Sequence, residues 1–144
     1  MAHAENEIII NKPVADVYAF VADGLNNPSW RPGVMNIELA SGQIGQVGTQ
    51  YKQIMKGPAG RNIEGDYKIT AAVPNKELSF AVTAGPARPT GSYVFEVMPT
   101  GTKVTFILDF QPKGLAKLMG SMIQKTMIGE VAQLTNLKQL LESK

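Results

Sequence analysis

Between residues 35 and 110, six stretches alternate apolar and polar side chains with a period of two, and every reversal between them is short. The stretches are 35–40, 49–56, 61–72, 77–83, 91–98 and 102–110, separated by SGQIGQVG, GPAG, PNK, AGPARPTG and PTG. Period two marks strands with one buried face. Short reversals rich in Gly, Pro and Asn join antiparallel neighbours, so the pattern predicts a six-stranded meander.

A sheet with one apolar face needs a cover, and the flanking segments offer it. Residues 7–10, EIII, read as a short first strand. Residues 13–23, PVADVYAFVAD, carry Val14, Val17, Tyr18 and Val21 at helical spacing, with Pro13 suited to a first turn and Gly24 to a left-handed cap. The following NNPSWRPG leaves room for one helical turn. From 115 to 143, Leu115, Leu118, Met119, Met122, Ile123, Met127, Val131, Leu134, Leu137 and Leu141 form one apolar face. Such a helix would be about 43 Å long, against ~17–20 Å for a typical strand, so it crosses the sheet diagonally or overhangs it. The expected architecture is α+β: a curved antiparallel sheet of about seven strands wrapped around a long C-terminal helix, with an internal cavity between them.

Composition narrows the function. The 144 residues suit a single domain spanning 1–144, and 44% apolar with 18% charged residues is ordinary for a soluble protein. No apolar run approaches the ~20 residues of a membrane span, so no stable membrane insertion is expected. The start, MAHAENE, lacks a basic region followed by an apolar one, and a cytoplasmic location is the expectation. With no cysteine, thiolate chemistry and disulfides are excluded. A charge of +2 without a basic stripe argues against nucleic-acid binding. Neither a metal nor a cofactor is expected, since no HExxH or acidic cluster appears.

Alternation assigns the inner face. Tyr51, Gln53 and Met55 share it with Ile63, Gly65, Tyr67 and Ile69, with Leu78, Phe80 and Val82, with Tyr93, Phe95 and Val97, and with Val104, Phe106, Leu108 and Phe110. Lys52, Glu64, Asp66, Lys68, Ser79, Glu96, Lys103 and Asp109 fall on the other face. An apolar wall with few polar groups suits either a packed core or a small-molecule pocket. The pocket reading takes Trp30, Tyr51, Met55, Tyr67, Phe80, Tyr93, Phe95 and Phe106 as ligand contacts, with Met119, Met122 and Ile123 from the helix. Trp30 either lines the entrance or fastens the short helix to the sheet. Gly120 and Gly129, inside the long helix, call for close approach to the sheet, a bend, or a tolerated defect.

INKPVADVYAFVADGLNNPSWRPGV, with Asp23, Trp30 and Pro32-Gly33, followed by GTQYKQIMKG, GPARPTGSYVFEV and a closing long helix, resembles the START-like (SRPBCC) superfamily, in particular its polyketide cyclase/dehydrase branch. The resemblance covers nearly the whole chain. It implies a helix-grip fold whose cavity holds a small, largely apolar molecule of lipid or polyketide type. It does not imply one reaction, because members bind lipids, hormones or polyketides, and some are enzymes or co-chaperones.

In a meander, alternate connections return to one end, which places KGPAGR, AGPARPTG and QPKG beside WRPG. Arg31, Arg61 and Arg88 all fall there. Two readings of Arg88 stand: held by stiff prolines at a cavity mouth to meet an acidic or carbonyl group of the ligand, or solvated on a loop. An enzyme is the second function class: should a one-residue bulge turn Asp66 inward, a cyclase or dehydratase follows, with Asp66 as base and a tyrosine or Arg61 steadying an enolate. His3, expected in a frayed terminus, leaves little for imidazole catalysis. A protein-interaction module is the third class, and LKQLLESK reads as a homodimer contact or an ordinary helix end.

Overall fold

In the computed structural model, the described residues are 2–85 and 87–144, with the backbone alone for Pro58, Leu115 and Ala116. The expectation for Pro86 as a loop stiffener and for the side chain of Leu115 therefore lies outside the described residues. The elements are β1 (Ala2–Ile10), α1 (Val14–Ala22), a 3-10 turn (Gly24–Asn26), α2 (Asn27–Trp30), β2 (Val34–Ser41), β3 (Gln50–Lys56), β4 (Asn62–Glu64), β5 (Tyr67–Val73), β6 (Glu77–Val82), β7 (Thr90–Met98) and β8 (Gly101–Phe110). A 3-10 segment (Gly114–Met119), α3 (Gly120–Val131) and α4 (Leu134–Glu142) complete the chain.

One antiparallel sheet runs β1-β8-β7-β6-β5-β3-β2, with β4 paired to β3. The meander is as the alternation predicts, and β1 closes against its last strand. β1 begins at Ala2 rather than at residue 7, in unbroken register from Ala2↔Phe110 to Ile10↔Thr102. AHAENE has no β-branched residue, so pairing with β8 and burial of Ala2 and Ala4 override its weak propensity. His3 is consequently not frayed: its Nδ1 lies 2.5 Å from Asp109 Oδ1 and its Nε2 3.0 Å from Glu5 Oε1. These two contacts, Asp109 foremost, hold the imidazole above its ordinary pKa.

The stretch 61–72 is two strands. Gly65 and Asp66 interrupt it because β3 and the interruption close upon each other: a Cβ on Gly65 would stand 2.8 Å from Met55 Sδ. Gly65 N–H donates to Gln53 O (2.8 Å), and the Asp66 carboxylate accepts from Gln53 N–H (3.1 Å). The bend curls the sheet and occupies Asp66 with backbone.

The C-terminal helical region also differs in detail. It opens as a 3-10 segment and becomes α-helical only at Gly120. At Ala132–Gln133 the ladder tightens to three-residue spacing, Gln133 N–H donating to Glu130 O, and separates α3 from α4. A Cβ at Gly120 or Gly129 would meet nothing within 4 Å, which removes close approach as their reason. α3 and α4 pack along β1, fastened by Gln124 to both backbone groups of His3, Asn6 to Val131 O and Lys138 to Ile9 O. α1 covers β7 and β8, while α2 packs on β2 and α4. The helices thus cover part of the inner face, and the part they leave open borders the site.

Candidate ligand cavity

A cavity of about 440 Å³ lies between the curved sheet and α3. β3 contributes Gln53 and Met55, β5 Tyr67 and Ile69, β6 Leu78, Phe80 and Val82, β7 Tyr93, and β8 Leu108; Met119, Met122, Ile123 and Met127 face them. Lys56, Gly57, Ile63, Ala87 and Pro89 also border it, so the β3–β4 and β6–β7 connections meet the start of α3 at its rim. Two of the reversals expected at one end, KGPAGR and AGPARPTG, thus meet at the rim, whereas QPKG does not border the cavity and Arg31 of WRPG reaches it from inside.

The cavity has one polar end. α2 exists because Pro28 fits its first turn, and it closes with Arg31 N–H on Asn27 O (2.8 Å), while Asn136 donates to Trp30 O (3.1 Å). Fixed in this way, α2 aims Arg31 inward. Its Nη2 donates to Glu130 Oε2 of α3 at 2.7 Å, with the two side chains 8% and 16% exposed. The guanidinium stands 5.9 Å from the ring centroids of Trp30 and Phe106, and its buried Nε has no hydrogen-bond partner among the described residues. Burial works against the charge, but the neighbouring Tyr93 and Glu130 outweigh it and keep Arg31 above its ordinary pKa.

Beside this pair, Asn27 Nδ2 donates to Gln53 Oε1 (3.1 Å) and to Tyr67 Oη (3.0 Å). Burial raises the Tyr67 phenol and pushes Tyr93 up to about 12, against the pull of Arg31, so both stay protonated at neutral pH. Tyr51 supports Tyr67 from behind, its ring stacked at 5.0 Å and its hydroxyl accepting from Gly24 N–H (3.3 Å). Only glycine fits there: a Cβ on Gly24 would stand 2.3 Å from Tyr67 Oη.

Of the expected contact residues, Met55, Tyr67, Phe80, Tyr93, Met119, Met122 and Ile123 border the cavity. Trp30, Tyr51, Phe95 and Phe106 do not, because the other helices and rings cover them. Tyr18 of α1 meets Phe95 edge-on at 5.1 Å, Tyr93 stacks on Phe106 at 4.4 Å, and Trp30 packs edge-on against both Tyr93 and Phe106. Trp30 fastens the short helix and is not at the entrance. Val97, assigned to the inner face, is 76% exposed at the far end of β7, next to the turn before β8. Arg88 is exposed, its Nε 3.5 Å from Gly85 O, and Arg61 is exposed as well. The arginine inside is Arg31. Asn27 and Glu130 border the cavity without being among the expected residues, though a carboxylate following Ile123 and Met127 on an apolar helix face is a readable signal.

A family model described as "Polyketide cyclase / dehydrase and lipid transport" matches residues 1–142. No curated protein matches the chain. A START superfamily protein from Mycobacterium smegmatis superposes with a TM-score of 0.82 at 13% identity, covering 99% of each chain. A Thermus thermophilus protein gives 0.78 at 20% identity, again covering 99% of each. The di-domain ARO/CYC StfQ of the steffimycin biosynthetic pathway gives 0.78 at 13% identity over 99% of this chain and 51% of its own.

Proposed function

The chain belongs to the polyketide cyclase/dehydrase and lipid transport family, and from that premise we propose that it binds a small, largely hydrophobic and electrically neutral molecule in the cavity. The observation that carries this reading is the Arg31–Glu130 pair at the inner end of an otherwise apolar wall. Cavities of a few hundred Å³ with few polar groups bury most of a small ligand's surface. The charged residues bordering this one, Arg31 and Lys56 against Glu130 and Glu64, sum to zero. A carboxylate pushed to the inner end would lose its water beside Glu130. A carbonyl or hydroxyl instead finds neutral partners in Asn27, Gln53 and the two phenols, and a free donor in Arg31 Nε.

Binding is favoured over cyclisation because turnover needs a base. Glu130 is held by Arg31, and Asp66 is held by the backbone of Gln53 rather than bordering the cavity. The reading is tested with the neutral fluorophore N-phenyl-1-naphthylamine. Uptake into the parent and its loss in Met55→Trp, which fills the cavity, is the expected result. Equal fluorescence from both proteins would remove the cavity as the binding site.

A further inference from the structure

The rim of the cavity concentrates two features. Lys56, Arg61, Arg88, Lys113, Lys117 and Lys125 are all exposed, and among the described residues none forms an ion pair. Lys56 borders the cavity itself, Arg61 follows the turn beside it, and Arg88 stands between Ala87 and Pro89. Lys117 lies in the 3-10 segment that ends at Met119, Lys113 immediately precedes that segment, and Lys125 precedes Thr126 on α3. Of the chain's 14 lysines and arginines, Lys56 therefore borders the cavity and five more lie on or next to segments that contribute to its rim, in a protein whose net charge is +2. Of the carboxylates named so far, Glu130 is paired with Arg31, while Asp109 and Glu5 share the single imidazole of His3; Glu64 and Asp66, the latter held only by a neutral backbone N–H, keep their charge, so the exposed cations remain in excess.

Among these cations in sequence, Leu118 is 84% exposed, next to the cavity-bordering Met119 and Met122 at 41% and 47%. Leu118, Met119 and Met122 together leave apolar side chains in water beside the cavity mouth, and a patch of this kind marks a contact surface. A second copy of the chain fits it poorly, because a symmetric pairing would bring the same six cations face to face. A bilayer with anionic lipid answers both features: headgroup phosphates for the cations and the acyl boundary for Leu118 and the methionines. We propose that this rim docks on anionic lipid bilayers, with the cavity mouth turned towards the acyl region. The docking does not depend on which ligand the cavity takes.

Co-sedimentation with phosphatidylcholine vesicles, with and without phosphatidylglycerol, tests it. The protein binds the anionic vesicles and releases them as salt rises from about 0.05 to 0.5 M. Lys113→Ala with Lys117→Ala weakens binding by about 25-fold, at about fivefold per cation near the surface, and Leu118→Ser by about tenfold. Lys52→Ala with Lys68→Ala, on the outer face of the sheet, leaves it unchanged. Absence of binding to anionic vesicles overturns the proposal, as does equal loss in the Lys52/Lys68 variant or no loss in Leu118→Ser. Dye uptake is read in the absence of vesicles, so failure of docking with uptake intact counts against this inference alone.

Discussion

Removing Glu130 should destabilise the protein far more than removing the whole ion pair. Arg31 and Glu130 stand 2.7 Å apart with side chains 8% and 16% exposed. Their attraction is about 6 kcal/mol at an effective dielectric constant of about 20, and desolvation of both groups offsets most of it. Glu130→Ala keeps the desolvation of Arg31 without the attraction, for a loss of about 3–5 kcal/mol. Total stabilities of about 5–15 kcal/mol make that a large fraction. The double variant Arg31→Met with Glu130→Met leaves no buried charge and should fall within about 1 kcal/mol of the parent. Urea unfolding followed by circular dichroism reads both. With a slope of about 2 kcal/mol/M, the Glu130→Ala midpoint drops by about 2 M and the double variant stays near the parent. A drop below about 0.5 M for Glu130→Ala, or a double variant as weak as the single ones combined, would refute the reasoning.

Two further outcomes follow from the same geometry. His3, the sole histidine, should titrate by NMR above the ordinary 6.5, and Asp109→Asn should bring it back down. Because its folded pKa is the raised one, its stabilising contribution is complete below about pH 6.5 and is lost as pH rises through the folded value. Gly129→Ala should raise stability by about 1 kcal/mol, read as a higher urea midpoint, since the added methyl meets nothing within 4 Å in a helix interior.

The sheet was legible because alternation is a local signal. Tyr67, Phe80 and Tyr93 face inward as their spacing predicts, and the strand ends agree to about a residue apart from β1 and the break at Gly65–Asp66. What alternation cannot tell is which part of the inner face a helix will cover. Tyr51, Phe95 and Phe106 share a face with Tyr67 and Tyr93, yet they pack in the core because α1 and α2 close over that half. The break between β4 and β5 depends on Gly65 meeting Met55 across strands, a contact with no local trace. Arg31 was visible as one of three clustered arginines, but only the folding of α2 and the approach of Glu130 distinguish it from Arg61 and Arg88. β1 reached Ala2 through pairing that no propensity in AHAENE announces.

The central claim is that the cavity takes a neutral hydrophobic molecule whose polar tip meets Arg31. The most direct measurement is calorimetric titration at pH 7 with undecan-2-one and with undecanoate, chains of matched length that differ in the charge of the polar tip. The account predicts that the ketone binds at least about tenfold more tightly, the margin corresponding to about 1.4 kcal/mol of unfavourable carboxylate desolvation beside Glu130. Equal or tighter binding of the carboxylate, or no binding of either chain, would contradict it.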